Sequence, residues 1–281
     1  MTTLAKGSCR VHEVECKSVL NNSGLADYAV NCYAGCEHGC VYCYARFVTR
    51  FSHHGELWGS FVDVKINAPT LLAREVKRKR VGRVFLSSVC DGWQPMEASY
   101  YLTRQCLEIL LHCRYPLTIL TKSTLASRDL DLLTSKEGIE FGATITTLDE
   151  SLRQLIEPRS SPSAERLALL QEAKSRGIRT YAFLGPLLPS LSDTEANLTL
   201  RLKAVKDVGA DYFYVDRLNR RFGVWQALRS LLQQYFPDLI TCYRKIFFDE
   251  SAGKEYTEKL MCSVYRIARK QGIDGKMRLC F

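Results

Sequence analysis

Short apolar segments alternate along this chain with longer stretches of helical periodicity, and this constrains the fold more than any other feature. The segments 28–33, 83–89, 117–121, 140–146, 179–184 and 211–215 are predicted strands. Between them, 100–113, 163–176 and 194–208 read as amphipathic helices. Ser163 and Arg166 follow Pro162 as a plausible helix start, and Gly177 stands where a C-cap glycine belongs. The next helix carries Asp193 and Glu195 in its first turn and ends at Gly209. Repeated strand–helix units give a parallel α/β sheet, and right-handed crossovers curl six of them into an open barrel. Ligands bind such folds at the C-terminal strand ends. That rule selects residues 87–91, 121–123, 144–147, 184–189 and 216–219, all polar or carrying Gly and Pro.

The chain is organised as an N-terminal extension (1–27), a barrel (28–225) and a C-terminal helical cap (226–281). With 46% hydrophobic and 25% charged residues, disorder is not expected. The opening MTTLAKGSCRVHEVECK lacks a signal-peptide core, and no run of about 18 apolar residues follows. A soluble, cytoplasmic protein is therefore expected, with no membrane partner. The formal charge is +9, concentrated in Lys77-Arg78-Lys79-Arg80 with Arg83 and in Arg217, Arg220 and Arg221. Such runs suit nucleic acid, or are solvated helix ends.

Four of the twelve cysteines crowd into residues 32–43. The segment Cys36-Glu37-His38-Gly39-Cys40-Val41-Tyr42-Cys43 follows directly on the first strand. Three thiolates at C-x3-C-x2-C can wrap one iron–sulfur cluster, with Gly35 and Gly39 letting the backbone approach. Three ligands on a [4Fe–4S] cluster leave one iron open, and the amino and carboxylate groups of S-adenosylmethionine (SAM) can chelate it. A zinc loop completed by Cys32 or His38, and a fully ligated electron-transfer cluster using Cys32, are the alternatives.

The run Tyr33-Ala34-Gly35-Cys36 through Cys40-Val41-Tyr42-Cys43-Tyr44-Ala45-Arg46 resembles the radical SAM superfamily, and within it the spore photoproduct lyase-like branch. Thr121-Lys122-Ser123, Ile156-Glu157-Pro158-Arg159 and Gly185-Pro186-Leu187-Leu188-Pro189 extend the resemblance over roughly residues 28–220. It implies a partial (β/α)6 barrel. It also implies that Tyr42 and Tyr44 contact adenine, that Lys122 and Ser123 meet the carboxylate and ribose, and that Thr144 or Thr146 binds ribose. Ser88 and Asp91 would lie near the methionine group, and Gly185 would line the cofactor site. Cys90 and Tyr44 are the catalytic candidates, since DNA-repairing members return a hydrogen atom from a cysteine near the second strand's end. This chain departs from that pattern: aligned on Asp91, Ser88 takes the donor position and Cys90 follows two residues later.

Three functions follow. The first is hydrogen abstraction from a nucleic acid, with Trp93, Tyr100, Tyr101 and the arginines near Arg217 forming a stacking groove. The second acts on a peptide, cofactor precursor or small molecule, with Cys242, Cys262 and Cys280 available for an auxiliary cluster. The third is a non-catalytic redox or sensing module. Both enzymatic readings need an electron donor such as flavodoxin or ferredoxin.

Overall fold

The computed structural model describes residues 9–134 and 136–280. Eleven strands form among them: β1 (Arg10–Val14), β2 (Leu20–Asn22), β3 (Tyr28–Val30), β4 (Tyr33–Ala34), β5 (Phe61–Lys65), β6 (Val84–Leu86), β7 (Leu117–Thr121), β8 (Ile139–Thr144), β9 (Arg179–Leu187), β10 (Tyr212–Arg217) and β11 (Met277–Leu279). The main sheet runs β11-β10-β9-β8-β7-β6-β3-β2. Strands β3 and β6 to β11 pair in parallel, and β2 caps one edge antiparallel to β3. This is the curled sheet of a partial barrel.

The register explains the two faces. On one side, Val84, Leu86, Leu117, Ile119, Phe141, Ala143, Ala182, Leu184, Phe213 and Val215 are all buried in the main core. Helices Leu102–His112, Ser163–Ser175 and Glu195–Asp207 cover that side with Leu107, Leu110, Leu169, Leu170, Leu198 and Leu202. Each fully buried valine, leucine, isoleucine or phenylalanine among them contributes about 1.5–3 kcal/mol. The alternate positions face the lumen: Glu140, Gly142 and Thr144 on β8, Arg179, Tyr181 and Phe183 on β9, Tyr212, Tyr214 and Asp216 on β10. At the N-terminal strand ends, Glu140 lies 3.5 Å from both Arg83 and Arg179. Beside this triad, Tyr181 and Tyr212 stack at 5.3 Å, and Arg278 sits over Tyr212. Charge pairs and rings thus close the lower end of the lumen, which opens at the C-terminal ends.

Several expectations change in detail. The first predicted strand divides at Asn31 and Cys32. Its front half joins the barrel, and Tyr33–Ala34 turns to pair with β5 in a second sheet of order β1-β5-β4. The C-terminal segment is helical over Val224–Tyr235, Ile240–Phe248 and Glu250–Lys270, but β11 then returns to the sheet beside β10. Ser163 caps nothing: Pro162 occupies the N-cap, and the buried Ser163 hydroxyl has no partner. The later helix starts at Glu195 with Thr194 as its cap, accepting from Asn197 N, so Asp193 lies outside the first turn and accepts from Tyr256 Oη at 2.7 Å. No described helix is long and apolar enough to cross a membrane.

Candidate active site

The cysteine loop leaves the barrel after β3 and folds over the C-terminal strand ends. Cys36 and Cys40 are buried, and Cys43 is half-buried. Gly39 N donates to the Cys36 carbonyl and Cys43 N to that of Cys40, both at 3.2 Å, so two tight turns set the three thiols. Gly35 is required where it stands: its φ is +87°, and a Cβ would lie 2.5 Å from the Phe61 carbonyl oxygen. Glu37 locks the loop sideways, its amide donating to Gln94 at 2.8 Å and its carboxylate accepting from Met96 N at 2.6 Å. Val41 N donates to the Ile156 carbonyl, and Arg46 reaches back to the carbonyls of Cys40 and Val41.

The three thiols stand further apart than a zinc site requires. Zinc bound at 2.3 Å would draw its sulfur ligands to about 3.8 Å from one another. Cys36, Cys40 and Cys43 do not gather within 4.8 Å, which suits the wider cube of a [4Fe–4S] cluster. Both candidate fourth ligands are engaged elsewhere. Cys32 points into the core with its Sγ 3.5 Å from that of Cys106. His38 is buried with Nδ1 3.5 Å from Asp91, and burial lowers its pKa to about 4, so it is neutral. Burial also raises the pKa of all three loop thiols, Cys40 to about 12, while Lys122 opposes the shift at Cys40 and Cys43. Iron binding would supply the energy that deprotonates them.

Two buried carboxylates hold the strand ends around this loop. Asp91 accepts from Trp93 N (3.0 Å), Thr121 Oγ1 (2.8 Å) and Lys122 N (2.7 Å), so its oxygens serve the protein rather than facing an open site. Glu157 accepts from Tyr42 Oη, from Thr146 Oγ1 at 2.8 Å, and from the buried Arg166. Arg166 also donates to the Thr144 carbonyl at 2.9 Å. Burial pushes the Glu157 pKa up, but Arg166 and Lys122 outweigh it and hold the value at about 2. The sequence offered the Glu157 motif, and Arg166 only as part of a helix start, but not the pairing of the two. An arginine one turn into a helix was the available signal.

Two groups at the same mouth have no such partners. Thr144 Oγ1 is buried without a hydrogen bond. The Lys122 ammonium lies 5.9 Å from the Tyr42 ring centroid. Burial lowers its pKa, but Cys40, Glu157 and Asp91 carry it above the ordinary lysine value, so it is charged. A buried hydroxyl and a cation beside the thiols suit the ribose and carboxylate of SAM. Thr146, in contrast, is fully bonded to Tyr42, Glu157 and the Gly185 carbonyl. Ser123 accepts from Leu125 N as the cap of a short helix.

On the other side of the mouth, Tyr44 Oη donates to the Ser88 carbonyl. Asn31, which sequence reasoning also missed, ties this corner together. It donates to Ser88 Oγ at 3.1 Å, accepts from Val89 N at 3.0 Å, and its Oδ1 lies 3.8 Å from Cys90 Sγ. Cys90 and Tyr44 both pack against the apolar cluster of Cys36, Ala45, Trp58 and Phe61, and burial raises the Cys90 pKa, so it remains a thiol. The expected stacking groove loses Trp93, which is fully buried with Nε1 on Asp129 at 2.7 Å. The run 77–83 precedes β6 and so lies at the end of the barrel away from the thiols. Cys242, Cys262 and Cys280 are exposed and do not gather within 4.8 Å.

The radical SAM superfamily is matched over residues 30–202, and this chain belongs to it. Members use a [4Fe–4S] cluster and SAM, and the chain is a radical SAM enzyme. It is similar to spore photoproduct lyase complexed with dinucleoside spore photoproduct, with a TM-score of 0.68 at 15% identity over 96% of this chain and 82% of that one. An uncharacterised protein of Methanocaldococcus jannaschii is 32% identical over 255 residues, covering 90% of this chain and 92% of its own. The radical SAM Nalpha-GlyT isomerase of Pseudomonas phage M6 is 23% identical over 85% of this chain and 49% of its own.

Proposed function

We propose that this enzyme abstracts a hydrogen atom from a base-bearing nucleic-acid substrate, in a reaction akin to photoproduct-lyase DNA repair. The observation that carries this reading is the rim beside Tyr44. Arg221 lies 5.7 Å from the Tyr44 ring and 5.8 Å from that of Phe47, and Arg50 lies 4.8 Å from that of the exposed Phe222. Interleaved guanidinium groups and aromatic faces grip phosphates and stack bases. A thymine-type lesion is unstacked at low cost, which lets it leave a duplex for such a pocket. The dinucleoside spore photoproduct bound by the similar photoproduct lyase is in keeping with this chemistry.

When bound, the cluster and SAM supply a 5′-deoxyadenosyl radical by reductive cleavage of the sulfonium. The chain's own residues do the rest. Cys36, Cys40 and Cys43 would hold the cluster. Lys122 and the Thr144 hydroxyl would orient SAM, with Tyr42, Tyr44, Ser88, Ser123, Thr146 and Gly185 shaping the pocket. Asp91 positions Lys122 through its backbone. Cys90, held as S–H beside Tyr44, is the group suited to return a hydrogen atom to the product. A reducing cytoplasm would supply the electron through flavodoxin or ferredoxin.

The test is anaerobic reconstitution with dithionite, SAM and an oligonucleotide bearing a thymine photoproduct. The expected result is 5′-deoxyadenosine together with loss of the lesion. Cleavage of SAM without any reaction of nucleic acid would overturn the substrate reading. Retained cleavage in a Cys36→Ala, Cys40→Ala or Cys43→Ala variant would overturn the ligand assignment.

A further inference from the structure

The second sheet carries a cluster of side chains unrelated to the cysteine loop. Strands β1 and β5 pair in parallel with His12 directly opposite Asp63, so both side chains leave the same face. His53 arrives from the loop before β5 with a left-handed backbone (φ +59°). Its Nε2 lies 2.9 Å from both Asp63 oxygens, and His12 Nδ1 lies 3.3 Å from Oδ1. One ligand atom from each of His12, His53 and Asp63 falls within 4.8 Å of the other two. Outside this trio, His53 Nδ1 bonds Glu56 at 2.8 Å, and Glu56 is held by Arg10 at 2.8 Å. A carboxylate on the far nitrogen of a histidine fixes which nitrogen faces inward, and is the usual outer support of a metal-binding imidazole. The His53 ring is further fixed by stacking on Phe61 at 4.0 Å.

We infer that His12 Nδ1, His53 Nε2 and an Asp63 oxygen form a binding site for a divalent transition metal of the zinc class. Two imidazoles and one carboxylate suit that class and leave a coordination position open. The exposed side of His12 is where that position meets solvent. The ion would replace the imidazole protons that now bridge to Asp63, so its binding releases protons. It would also join the N-terminal strand to β5. Phe61 of β5 lies directly under Gly35, so the site braces the strand on which the cysteine loop rests.

The experiment is equilibrium dialysis of the cluster-loaded enzyme against micromolar free Zn2+, with zinc and iron counted per chain. The wild type should take up one zinc while iron stays unchanged at about four. His12→Asn and Asp63→Asn should each weaken uptake by at least about a hundredfold, and Glu56→Gln by about tenfold, again without loss of iron. The Cys36→Ala/Cys40→Ala/Cys43→Ala variant should still bind its one zinc, which separates this site from the cysteine loop. The inference is overturned by no uptake in the wild type, by undiminished uptake in His12→Asn and Asp63→Asn, or by uptake that displaces iron or vanishes in the cysteine variant. His12 is exposed, so its replacement does not put the fold at risk.

Discussion

The two walls of the barrel mouth treat their buried polar groups in opposite ways. On the wall built by Tyr42, Thr146, Glu157 and Arg166, every polar group has partners, and the Glu157 pKa is held at about 2. On the lumen wall, Thr144 Oγ1 has no partner. Asp216, near the top of β10, is largely enclosed, and burial pushes its pKa up to about 6. Thr144 and Thr146 stand two residues apart and are equally buried. The difference teaches which groups build the site and which are left to serve a ligand. A satisfied network fixes geometry, whereas an unsatisfied buried group costs folding energy that a ligand can recover.

Removing the central cation tests the satisfied wall most severely. Arg166→Met leaves Glu157 buried without its main partner and should cost about 3–5 kcal/mol of unfolding free energy, measured by urea denaturation. A loss below about 1 kcal/mol would show that the network is not what holds this wall. Thr146→Val removes one hydroxyl from the same network and should cost about 1–3 kcal/mol, with Tyr42 and the Gly185 carbonyl left short of a partner.

The lumen wall should respond with the opposite sign. Asp216 has a folded pKa above the ordinary carboxylate value, so folding takes up a proton there. Its penalty is absent below about pH 4 and fully present above about pH 6. Asp216→Asn should therefore stabilise the chain by about 1–2 kcal/mol at pH 8, after allowance for partial exposure, and give no gain at pH 4. An equal effect at both pH values would rule out titration as the cause. Thr144→Val should be the mildest, neutral or stabilising by up to about 1 kcal/mol, because no protein hydrogen bond is lost. SAM affinity measured by calorimetry on the cluster-loaded enzyme should nevertheless fall roughly tenfold. A destabilised Thr144→Val with unchanged SAM affinity would erase the contrast between the walls.

The barrel was legible because each of its strands is a local apolar run, and the structure places all six within a few residues of the predicted bounds. The pairing of Arg10–Val14 with Phe61–Lys65 was not, since β1 is largely exposed and meets its partner only across a long stretch of chain. The same limit hid β11. In the site, the cysteine triplet and the strand-end positions were readable from spacing and from the rule that loops after parallel strands face ligands. Which of those residues are already occupied by other side chains was not readable. Asp91 serves backbone amides and a hydroxyl, and Trp93 is sealed in the core by Asp129, because both depend on contacts between segments distant in sequence. Thr144 and Thr146 look alike in sequence, and only Glu157 and Arg166, brought in from the next helices, separate them.

The pairing of Glu140 with Arg83 and Arg179 beneath the stacked tyrosines gives the barrel a floor. A ligand that comes in over the C-terminal strand ends meets that floor, and whatever enters first there sits deepest. Departure follows the reverse sequence. The order of entry and exit is thus written into the shape of the vessel rather than into any moving part.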